Sequence, residues 1–233
     1  MRTITLSLQS AIQIAATLTI LFTSQFAHAV IVEDFDTPPD GLNYSFSDVP
    51  GVSYTQTTTD AAGITSISGK SDADPVLRFD LPTSEFAGVG RHLSQPSTNS
   101  WAGSQDWSIS PSVQFWFYGE GNDNQFRLSL LDTNAVVTGG ELWLHDFIDD
   151  LAGWKLVDLS FDNFFFANYS TLNNGVFDTE TIYSWSLLAH SGVTNGTYFI
   201  DDIALASVPS PSSSFLLLFG IITLLNVSKK KRR

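Results

Sequence analysis

Three stretches of the chain place aromatic and hydrogen-bonding side chains at alternate positions. They are Gln114, Trp116 and Tyr118 within VQFWFYG, Arg127 within QFRLSLL, and Trp143 and His145 within GELWLHDF. A period of two sends such sets to one side of a strand. In QFRLSLL the apolar Phe126, Leu128 and Leu130 turn inward, which leaves Gln125, Arg127 and Ser129 outward. The same assignment puts Gln114, Trp116 and Tyr118 outward, and in GELWLHDF it puts Leu142 and Leu144 inward with Glu141, Trp143 and His145 outward. Flat rings beside amide, guanidinium and imidazole groups suit a ligand with apolar ring faces and many hydroxyls, namely a sugar. The expectation is one glycan-binding sheet face made of Gln114, Trp116, Tyr118, Arg127, Trp143 and His145. The competing reading makes the aromatics a second core under the long loops read at 81–112 and 163–182.

Two carboxylates stand out for a different reason. Glu33 shares an alternate face with Ile31 and Phe35 in the first strand, and Asp201 shares one with Phe199, Ile203 and Leu205 in the last. An unpaired carboxylate on an apolar face is costly to bury. Should the two strands adjoin, a hard cation bridging Glu33 and Asp201 neutralises both, with Asp34 and Asp202 assisting from the flanks. A chain without cysteine and with four histidines favours calcium over a softer metal. The alternative keeps both carboxylates at strand ends in water.

Catalysis finds little footing. Glu120 and Glu141 are among many carboxylates that an acidic domain supplies by chance, and no glycosidase signature surrounds them. The chain has no Gly-x-Ser-x-Gly elbow, His-Glu-x-x-His motif or phosphate-cradling glycine loop. The expectation is a non-enzyme that binds extracellular polysaccharide. A purely structural matrix component is the main alternative, and a glycan-active enzyme the lesser one.

The elements that must position these side chains are strands. Short runs of period-two alternation fill residues 30–206, separated by Gly, Asn, Asp, Ser and Pro, with no sustained 3.6-residue period. The clearest lie at 31–35, 113–119, 125–131, 140–147, 154–161, 183–190 and 197–205. Seven or more such strands predict an all-β antiparallel sandwich. With 18 Phe, 6 Trp, 6 Tyr and no Cys, its stability must come from packed rings rather than disulfides.

The ends read as addresses. Residues 1–29 form a signal peptide: a basic start at Arg2, an apolar stretch, and Ala27-His28-Ala29, which predicts cleavage after Ala29. Residues 207–233 run from a Pro-Ser linker through an apolar transmembrane helix at about 213–228 to the basic tail SKKKRR. Six of the 11 cations lie in these end segments, which leaves five against 24 carboxylates in the middle. That balance repels nucleic acid and anionic membrane surfaces.

The tail, with Val208-Pro209-Ser210-Pro211 ahead of the apolar helix and the basic block, resembles the PEP-CTERM sorting signal of Gram-negative bacteria. Ser210 stands where that signal usually has Glu. The resemblance implies an exosortase-like processing partner, at least transient anchoring in the inner membrane with the domain in the periplasm, and delivery to the cell surface or extracellular matrix. The order EDFD, FWFYGEGNDNQFRLSLLD, GWKLVDLSFDNF and YFIDDIAL resembles the galactose-binding-like carbohydrate-binding jelly rolls, closest to family 11 and CIA30-like modules. That resemblance implies adjacent first and last strands, often with a structural calcium ion, and in some members a sugar-binding concave face.

Overall fold

The computed structural model describes residues 29–36, 43–93, 103–133, 140–167, 174–193 and 195–207. The signal segment through His28 and the tail from Val208, including the sorting motif at 208–211, the apolar helix and the basic block, lie outside them.

Two antiparallel sheets face each other. The first runs β3 (Ser53–Thr58), β4 (Pro75–Leu81), β12 (Gly196–Leu205), β6 (Ser112–Glu120), β9 (Ala152–Ser160), and β1 (Val30–Glu33) also pairs with β12. The second runs β10 (Phe165–Phe166), β8 (Gly140–Ile148), β7 (Gln125–Thr133), β11 (Ile182–Val193), β5 (Ser84–His92), β2 (Asn43–Ser47). All seven strands read from the sequence are present. The loop read at 81–112 instead contains β5, a strand flanked by β11 and β2.

The core fills the space between the sheets by the alternation expected. Val113, Phe115 and Phe117 of β6 meet Phe126, Leu128 and Leu130 of β7, with Trp185 and Leu187 of β11 and Tyr198 and Ile200 of β12 beside them. Phe117, Phe126 and Tyr198 form a ring cluster with centroids 4.8–5.9 Å apart. Each such side chain contributes about 1.5–3 kcal/mol by burial, with edge-to-face pairing adding to it. This is how a chain without disulfides holds together.

Strand β8 departs from the expectation. Antiparallel register sets Trp143 opposite Leu130 and His145 opposite Leu128, so Trp143 and His145 share the core side of the sheet while Leu142 and Leu144 face away. GELWLHDF is apolar at both parities, and the larger indole took the interior.

Strand β12 carries a bulge between Asp201 and Ala204, with Asp202 at φ 47°, a left-handed conformation that aspartate tolerates. The extra residue shifts the alternation: Tyr198 and Ile200 point inward before it, Ile203 and Leu205 after it. It falls where β12 changes neighbours, from β4 (through Ile200) to β1 (from Ile203). The one α-helix among the described residues, α1 (Thr59–Ala62), is capped by the Thr58 hydroxyl and ended by Gly63 at φ 69°. The loop after α1 meets the outer side of the first sheet, where the Thr65 carbonyl accepts from Trp154 Nε1 at 2.6 Å and Lys70 reaches Asp201.

Candidate functional site

The six expected binding residues do not gather on one face. Gln114, Trp116 and Tyr118 point outward from the first sheet, as expected. There Tyr118 meets the edges of Trp154 and Phe199 at 5.4 and 5.6 Å, and Gln114 donates to Asp158 at 2.8 Å. Arg127 points outward from the second sheet, paired with Asp146 and lying 5.3 Å over the Phe165 ring. Trp143 is a core residue, 8% exposed and stacked on Phe177 at 5.0 Å. His145 turns to the same side and meets Phe164 at 5.2 Å. The single face is therefore corrected to two opposite faces, with Trp143 and His145 on neither.

The two expected calcium ligands part in the same way. Glu33 sits opposite the inward Ile203 and reaches across the sandwich to Arg91 of β5, 2.6 Å away. Asp201 sits opposite Trp116 and points outward, where Lys70 closes on it at 2.7 Å. A cation cannot bridge carboxylates on opposite sides of one sheet, and each already has a protein cation beside it. The bulge in β12 turns Asp201 away from the side taken by Ile203, the register partner of Glu33, and puts the two carboxylates out of phase.

The second sheet carries an aromatic face that periodicity did not reveal. On β2, Tyr44 lies opposite Gly90 and Phe46 opposite Gly88. The rings rest on those glycines: a Cβ at Gly90 would lie 2.6 Å from the Tyr44 ring and phenol oxygen, and one at Gly88 2.7 Å from Phe46. A row of rings follows. Phe86 meets Phe46 at 5.2 Å, Tyr44 stacks on His92 at 4.7 Å, and His92 meets Tyr183 at 5.3 Å.

Polar groups border this row. The Tyr44 hydroxyl lies in hydrogen-bond range of Ser184 and Ser186, while the Arg127–Asp146 pair stands farther along the same side. Burial pushes the Tyr44 phenol up and the His92 imidazole down, so both rings are neutral at physiological pH. Ser129 Oγ and His92 Nδ1, both buried beneath this face, have no hydrogen-bond partner among the described residues. The signal available in the sequence was NYSFS followed by AGVGRH, small residues every second place opposite rings every second place.

An antiparallel two-sheet sandwich with neutral rings and hydroxyls laid flat on one outer face has the make-up of a jelly-roll sugar-binding module. The model of the family 11 carbohydrate binding domain matches residues 24–207, and the chain belongs to that family. The fold is similar to the family 11 module from Clostridium thermocellum solved with a β-1,3-1,4-mixed-linked tetrasaccharide. Identity is 18%, coverage 79% of this chain and 98% of that one, and the TM-score 0.56. It is also similar to the family 30 module of a cellulosomal cellulase of Clostridium thermocellum, at 16% identity, 77% and 98% coverage and a TM-score of 0.55. No curated protein matches the chain. At such identities the structural likeness establishes the fold alone.

Proposed function

We propose that this chain is an exported, non-catalytic protein that binds an extracellular β-linked polysaccharide on the outer face of the second sheet. The observation that carries the reading is the row Phe46, Tyr44 and His92 seated on a floor of Gly88 and Gly90. Stacking on sugar rings needs flat apolar surface held rigid before the ligand arrives. Glycines let the rings lie down on the sheet, where the buried hydroxyls of Ser184 and Ser186 hold the Tyr44 phenol in place. A neutral polymer also avoids repulsion by the acidic domain.

In this reading the signal peptide is removed after Ala29 and the tail at 207–233 passes through the inner membrane to an exosortase-like enzyme. Mass measurement of the protein recovered from cells reports both cleavages, and intact ends on recovered protein would contradict them.

The site is tested by affinity electrophoresis against a panel of soluble polysaccharides. The full chain should be retarded by at least one β-glucan, and the Tyr44→Ala and Phe46→Ala variants should run freely with unchanged circular dichroism. Trp116→Ala, on the other sheet, should keep the retardation. Loss at Trp116 with retention at Tyr44 would move the site to the first sheet, and release of reducing ends would reveal an enzyme.

A further inference from the structure

Two consecutive carboxylates of β12 close on one ammonium. Lys70 Nζ lies 2.7 Å from Asp201 Oδ2 and 2.9 Å from Asp202 Oδ1. Neighbours in a regular strand point to opposite sides of the sheet. Here the bulge after Asp201, with Asp202 at φ 47°, lets both side chains reach the same lysine. A left-handed aspartate persists only where its surroundings fix it.

The site is dry around Asp201. Asp201 is 0% exposed, its register partner is Trp116, and Phe199, two residues earlier on the same side, is also buried. The loop that carries Lys70 is tied down along its length. The Lys70 amide donates to the Ile67 carbonyl at 2.9 Å, and the Asp72 carbonyl accepts from the Thr59 hydroxyl at 2.9 Å. Asp201 Oδ1 accepts from the amide of Asp202 at 2.8 Å. The parts of an acyl transfer therefore stand together: an amine, a carboxyl with one oxygen held by an amide, and a second carboxylate touching the amine.

We propose that Lys70 and Asp201 condense into an intramolecular isopeptide bond, with Asp202 as the proton carrier. Asp202 takes one proton from the Lys70 ammonium, and the freed nitrogen electron pair attacks Asp201 Cγ. Negative charge gathers on Oδ1, where the Asp202 amide donates. The Cγ–Oδ2 bond then breaks. Oδ2 leaves as water with that first proton and a second from the nitrogen, both passed through Asp202, and the third proton stays on the amide. Burial lifts Asp201 to about 6, which brings its carboxyl closer to the neutral form that the attack needs. Desolvation opposes the Lys70 charge as well, but the hydrogen bonds to Asp201 and Asp202 outweigh it, so the nitrogen loses its proton only to a carboxylate already in contact. Condensation removes two charges from a poorly solvated place, and with them the desolvation cost of an ion pair. The bond joins β12 to the loop after α1, 131 residues apart, and supplies a staple to a chain without cysteine.

Mass spectrometry of the full chain tests this. The intact protein should weigh one water less than the sequence between its two ends requires, and digestion should yield a branched peptide joining the segments of Lys70 and Asp201. Lys70→Arg keeps the cation but is no nucleophile. It should restore the full mass and lower the melting midpoint by about 5 °C or more. Asp202→Asn, which tolerates the same backbone, should leave the segments unjoined. Unjoined peptides from folded wild-type protein would mean an ion pair only and would overturn the proposal. A missing water without the branched peptide, as a cyclised Asp-Gly or Asn-Gly step produces, overturns it too. Branching that survives in Asp202→Asn overturns the proton route.

Discussion

The Tyr44 ring rests on Gly90, in space that a Cβ on residue 90 would occupy, 2.6 Å from the ring and phenol oxygen. A one-carbon addition under the ring is therefore a test of the whole face. Gly90→Ala should tip Tyr44 off the sheet, abolish polysaccharide retardation and cost about 1–3 kcal/mol of stability through overpacking. Electrophoresis and urea unfolding on one preparation read both effects, and unchanged retention would mean that the ring's seat does not matter to binding.

Trp143 and Trp116, alike in the sequence, should now behave oppositely. Trp143→Ala empties a site in the core and should cost about 3–5 kcal/mol in urea unfolding. Trp116→Ala, on the outer side of the first sheet, should cost far less. Equal losses would contradict the register of β8.

The Glu33–Arg91 pair spans the two sheets, with side-chain exposures of 8% and 15%. Arg91→Met strands a buried carboxylate and should cost about 3–5 kcal/mol. Adding Glu33→Gln should recover part of that loss. A double-mutant cycle that shows no coupling would place the ion pair outside the energetics of the fold.

Stability should depend on pH in an unusual direction. Burial, aided by the charge of Glu141 across the β7–β8 pair, lifts Asp132 to about 6, above the ordinary 3.8. A carboxyl whose folded pKa is raised holds its proton more tightly when folded. Its contribution is then greatest at low pH and is lost as pH climbs from about 4 through about 6. In EDTA the melting midpoint should therefore fall across that window, and Asp132→Asn should flatten the slope. A midpoint that climbs across the same window would refute this.

The sandwich was legible in the sequence because β7 alternates between greasy and polar positions, β6 between apolar and amphipathic ones, and turn residues separate many short runs of this kind. The outward turn of Gln114, Trp116, Tyr118 and Arg127 was legible for the same reason. Their gathering was not. β6 and β7 follow one another in the chain yet lie in different sheets, β6 between β12 and β9 and β7 between β8 and β11. Periodicity reports which side of a strand a residue takes, and says nothing about which strands become neighbours.

Bulges set a second limit. Glu33 and Asp201 were expected on one face by counting in twos, and β1 and β12 do adjoin. One inserted residue in β12, between Asp201 and Ile203, reversed the count. The aromatic row on the second sheet leaves little trace in the sequence because β5 alternates with glycine and has little hydrophobic signature of its own. The Asp132–Glu141 pair depends on cross-strand register, which no single stretch encodes.

Val30 is the register partner of Leu205, so the domain's two ends emerge side by side at one corner. Tension applied between those ends would open β1 from β12 rung by rung, as a zipper parts. Tension between the trailing end and a polymer held on the second sheet runs instead along β12, which is laced to β4 and β1 on one flank and β6 on the other. Those rungs stand across the strand and would bear the load together in shear. A tether at the C-terminal side thus draws on the mechanically stiffer direction of the molecule.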